Sequence, residues 1–77
     1  MTRNHAFVTV EHGEGDWLIA TCNPPGDASM GRLRTALNAI PDITDATTLD
    51  EPGKMQFKIH NPPPLKELAD ELTAWVA

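Results

Sequence analysis

The chain has 77 residues, 40% of them hydrophobic and 22% charged, which leaves room for one domain with a thin core and excludes a deep enclosed substrate cavity. Its formal net charge of -5 disfavours direct nucleic-acid binding, because phosphate backbones would be repelled. One cysteine, Cys22, excludes an internal disulfide, no segment approaches the ~20 apolar residues of a membrane helix, and the start lacks the apolar run of a secretory signal, so a reducing, cytoplasmic setting is expected.

Residues 1–5 read as a loose arm. Phe7-Val8-Thr9-Val10 has the β-branched and aromatic composition of a strand. His12-Gly13-Glu14-Gly15-Asp16 reads as a turn, and Trp17 to Cys22 as the returning strand. Asn23-Pro24-Pro25-Gly26 stops it, because proline donates no ladder hydrogen bond and its preceding residue avoids helical geometry. A helix is expected from Asp27 or Ser29, both good N-caps, with Met30, Leu33, Ala36, Leu37 and Ile40 along one side and Pro41 at its end. Ile43 to Leu49 reads as a threonine-rich strand, Asp50-Glu51-Pro52-Gly53 as a turn, and Met55 to His60 as a strand of strict apolar–polar alternation. Pro62-Pro63-Pro64 leads into a last helix, with Pro64 in its first turn and Leu65, Leu68, Leu72, Trp75 and Val76 as its apolar stripe.

Asn-Pro-Pro occurs twice, at 23–25 and 61–63, after a strand and before a helix each time. A shift of 38 positions also brings Gly15 onto Gly53, Trp17 onto Met55 and Ile19 onto Phe57. This predicts an α+β domain over 1–77 made of a duplicated β-β-α unit (6–40 and 44–77), a four-stranded antiparallel sheet with two helices packed on one face. The alternation in the fourth strand turns Met55, Phe57 and Ile59 toward the core. By the repeat, Trp17, Ile19 and Thr21 do the same, leaving Leu18, Ala20 and Cys22 on the open face beside Gln56, Lys58 and His60. Phe7 and Thr9, or else Val8 and Val10, complete that face. Trp17 and Trp75 are expected to anchor the core.

Candidate chemistry is sparse. Cys22 and His60 hold equivalent places in the two copies and would form a nucleophile–base dyad only if adjacent. A pseudo-two-fold sheet puts them instead at opposite ends, ~20 Å apart for a six-residue strand. His5, His12, Cys22 and His60 match no compact metal-ligand spacing, so no metal and no cofactor is expected. The turn at 12–16 joins two strands and carries acids, so it is no phosphate cradle.

The leading expectation is a small acidic non-enzymatic interaction module, an adaptor or inhibitor. Its candidate surface comprises Phe7, Leu18, Ala20 and Lys58 on the sheet and the acidic stretch Asp42, Asp45, Asp50 and Glu51. The expected partner is another protein, one with a basic surface, or a second copy in a homodimer; neither a membrane nor a nucleic acid is expected. Size and charge also suit a phage or mobile-element product that binds a host protein. The alternative is a small enzyme or ligand-binding subunit using Cys22 or His60 at an oligomer interface.

Overall fold

The computed structural model describes residues 6–23 and 25–76. The expected arm over 1–5, the candidate ligand His5 and the first proline of Asn23-Pro24-Pro25 lie outside the described residues. Six elements follow in chain order: β1 (Phe7–His12), β2 (Leu18–Asn23), α1 (Asp27–Ala39), β3 (Ile43–Thr48), β4 (Lys54–Ile59) and α2 (Leu65–Val76). The strands form one antiparallel sheet in the order β1-β2-β4-β3, so β2 and β4 are central and β1 and β3 are edges. Each half of the chain thus supplies two strands and a helix to one α+β layer pair.

Local chemistry closes each hairpin. In the first turn Gly13 N–H donates to Trp17 O (2.8 Å), Trp17 N–H donates to Glu14 O (3.0 Å), and Gly15 takes a φ of 56°. In the second, Leu49 N–H donates to Lys54 O (3.1 Å), and Gly53 takes a φ of 78°. Gly53 also joins the two halves. Its carbonyl accepts from Cys22 N–H (2.7 Å), and a Cβ there would lie 2.8 Å from both Cys22 O and Pro25 Cβ. Only glycine meets both the left-handed φ and the close approach.

Both helices cover one side of the sheet. Leu33, Ala36 and Leu37 of α1 and Leu68, Leu72 and Val76 of α2 are buried against Val8, Leu18, Ala20, Cys22, Met55 and Phe57. The helices cross over between halves: α2 packs chiefly on β1, α1 touches β3 and β2, and the two touch each other. Arg32 Nη1 donates to Val76 O (3.4 Å), satisfying a terminal carbonyl of α2 from the neighbouring helix. Gly26 occupies the N-cap of α1 without a side-chain cap, and α2 begins at Leu65, one residue after the expected Pro64. Pro64 O accepts the first helical bond, from Leu68 N–H (3.1 Å).

The faces of β2 are the reverse of those the repeat predicts. Leu18 and Ala20 lie opposite Phe57 and Met55, and directly paired residues share a face of a sheet. Leu18 is 4% exposed and Ala20 0%, so neither stands on the open face. Trp17, Ile19 and Thr21 are only half-buried and point the other way. The cause is a slip of one residue between the halves. Core positions of β2 fall one, three and five residues before Asn23, whereas those of β4 fall two, four and six before Asn61. With a side-chain period of two, such a slip exchanges every inward and outward position. Trp75 is also misplaced by the stripe: it stands 43% exposed on the flank of α2, while Val76 fills the core.

Candidate functional site

The uncovered side of the sheet is built from cross-strand rows. Phe7 stands beside Asn23, and Thr9 beside Thr21 and Lys54. Glu11, Ile19, Gln56 and Thr47 cross the full sheet in the next row. Asp45 pairs with Lys58, whose ammonium lies 4.7 Å from the centroid of the Trp17 ring. The quadrupole of the ring attracts the ammonium, and such a cation–π contact is worth ~0.5–1 kcal/mol at an exposed site. Lys54 Nζ binds Glu51 at 2.9 Å, and that hydrogen bond, with the charges of Glu51 and Glu11, raises its pKa above the ordinary lysine value. The face is therefore mixed: threonines and a glutamine at the centre, aromatic rings at two corners, and charge of both signs along the rows.

Of the surface residues read from the sequence, Phe7 is on this face at 44% exposure and Lys58 is half-buried there. Asp42, Asp45, Asp50 and Glu51 are all exposed along β3 and its two flanking turns. Leu18 and Ala20 leave the set for the core, and Trp17, Ile19 and Thr21 take their place. The pairing of β2 with β4 carries that information, and no residue type signals it.

Cys22 and His60 do not meet. Cys22 is 1% exposed at the Gly53 end of the central pair, whereas His60 follows the far end of β4, roughly 20 Å away at ~3.3 Å per residue. Burial pushes the Cys22 thiol above the usual range, and a hydrogen bond with Ser29 offsets this in part. A thiol with a raised folded-state pKa contributes stability that is present below the unfolded thiol pKa. That contribution is lost as pH rises through the folded value. In native protein, an aromatic disulfide reagent at pH 8 is expected to label Cys22 only as fast as the fold opens, and immediately once urea unfolds it. Rapid native labelling would contradict the burial.

His60 instead lines an open cleft of about 440 Å³ with His12, Asp16, Thr44 and Lys58 over a floor that includes Leu18. Among the described residues no three His, Cys, Asp or Glu side chains are grouped to hold a metal ion. None of the described helices is long and apolar enough to cross a membrane.

No family model, curated protein or solved structure matches this chain.

The two sheet edges differ in a way the sequence does not signal. Opposite residues of an antiparallel pair alternate between exchanging ladder bonds and pointing them outward. Val8 pairs with Cys22, which bonds Gly53, so the polar groups of Val8 point away from the sheet. Thr73 of α2 meets both: Val8 N–H donates to Thr73 Oγ1 (2.9 Å), and the hydroxyl donates to Val8 O (3.3 Å). On β3, the Leu49–Lys54 bond places Ala46 and Thr48 in the outward-pointing class, and no hydrogen bond from the described residues meets their backbone.

Proposed function

We propose that this chain is a small acidic, non-enzymatic protein-interaction module, an adaptor or inhibitor acting in the cytoplasm, whose contact surface is the uncovered sheet face. The observation that carries the reading is the one-sided helical layer. It leaves Phe7, Trp17 and Ile19 on the outer side of the sheet, bordered by the exposed acids Asp42, Asp45, Asp50 and Glu51. Aromatic side chains within a polar rim are the composition of a protein contact. The acidic border favours a partner with a basic surface, and charge of this kind tunes encounter and partner choice more than affinity.

The test is affinity capture from the source cell with three forms of the chain. Wild type is expected to retain a specific protein. Ile19→Glu, which alters the outer face, should lose it, and a variant with Asp42, Asp45 and Asp50 changed to Asn should hold it with weaker salt dependence. Equal retention of the same protein by wild type and Ile19→Glu would remove the sheet face as the site.

A further inference from the structure

We propose that the β3 edge is a self-association surface at which two copies pair their β3 strands antiparallel about a two-fold axis at Thr47, giving a continuous eight-stranded sheet. This is independent of the partner reading above, since it rests on the edge and not on the face.

Three observations carry it. The first is the asymmetry of the edges. Thr73 occupies the outward backbone groups of β1 at Val8, so an added strand would have to displace α2 there. The outward groups of Ala46 and Thr48 have no such cover from the described residues, and β3 is regular from Asp45 onward, its bulge being confined to Ile43/Asp45. Uncovered edge backbone is a template for another strand.

The second is register. With the axis at Thr47, Ala46 of one copy faces Thr48 of the other, twice, and both residues belong to the outward-bonding class. Four backbone hydrogen bonds then form without change to the β3–β4 ladder. The same register sets Asp45 against Leu49, so no acid opposes an acid. An axis at Ala46 would need Thr44 to pair with Thr48, and Thr44 lies in the bulge, so only the two Ala46–Ala46 bonds would fall in regular strand.

The third is charge beside the edge. A groove of about 350 Å³ lined by Arg34, Asn38, Ala46, Thr47, Thr48 and Met55 runs between α1 and β3 on the helical side. Arg34 is exposed and makes no ion pair with the described residues. In the Thr47 register, Asp50 of the second copy comes opposite the bulge at Thr44, at the end of the edge that Arg34 flanks, which offers Arg34 an opposite charge. The partner that suits both backbone and charge is therefore another copy of this chain. Five paired residues per copy bury less than the ~1,200 Å² of a standard stable interface, so the dimer is weak and depends on concentration.

Sedimentation equilibrium from about 10 µM to 1 mM tests it, with far-UV circular dichroism confirming that each variant folds. Wild type is expected to pass from monomer to dimer within that range. Thr47→Lys and Thr47→Asp, changed on the exposed outer side, should each weaken the dimer roughly fivefold by opposing like charges at the axis. An equal mixture of the two should associate at least as tightly as wild type. Thr48→Pro, which removes only an outward N–H, should weaken it about tenfold or more. A wild type that is monomeric at 1 mM overturns the proposal. So does a dimer unaffected by Thr48→Pro, or a mixture of the Lys and Asp variants no tighter than either alone.

Discussion

Leu18→Glu is expected to unfold the protein, while Ile19→Glu, one residue along, leaves it folded. Leu18 is 4% exposed and lies opposite Phe57 on the central pair of strands. Removing its side chain alone costs ~2–5 kcal/mol. A carboxylate in its place must be protonated or left unpaired among apolar groups, at a further cost of several kcal/mol. A domain of this length has about 4–12 kcal/mol of stability in all. Ile19 faces the other side, half-buried beside Gly13, and its replacement should cost about 1 kcal/mol. Circular dichroism with urea titration reads the difference directly. A folded Leu18→Glu variant with a midpoint near that of Ile19→Glu would show that the faces of β2 are assigned the wrong way round.

Phe57→Ala should lower stability by ~3–5 kcal/mol, the range for truncating a fully buried aromatic ring. Phe57 is 0% exposed, and β4 holds it between Leu18 on one neighbouring strand and Ala46 on the other, beneath the helices. In so thin a core no second layer can collapse into the space. Leu68→Ala, at 1% exposure on α2, should fall in the ~2–5 kcal/mol range for the same reason. Glu71→Ala, exposed on α2, should change stability by roughly 0.5 kcal/mol or less. Similar urea midpoints for Phe57→Ala and Glu71→Ala would contradict the placement of the core.

The uncovered face and the β3 edge can be separated experimentally because they use different atoms. Binding across the face depends on side chains such as Ile19 and Phe7. Pairing along the edge depends on the outward backbone of Ala46 and Thr48. Ile19→Glu and Thr48→Pro should therefore have distinct effects, one on partner capture and the other on self-association.

Six elements, their order and most of their boundaries were legible in the amino-acid sequence, because local chemistry sets them. Prolines 41 and 62–64 stop or start helices by geometry, glycines 15 and 53 accept a positive φ, and Met55, Phe57 and Ile59 declare their face by strict alternation. The apolar spacing of Leu33, Ala36 and Leu37, and of Leu68, Leu72 and Val76, likewise selects the buried side of each helix. The faces of β2 were not legible. Leu18, Ala20 and Cys22 alternate with Trp17, Ile19 and Thr21, so apolar residues stand on both sides and either register buries a plausible core. Pairing with β4 decides between them, and that is a long-range choice. The same holds for the candidate surface. Thr73 is an ordinary helix residue until α2 crosses onto β1, and Ala46 and Thr48 are ordinary strand residues until β3 becomes an edge. Local propensity determined which elements this chain forms; only their packing decided which sides and which backbone groups remain open to another molecule.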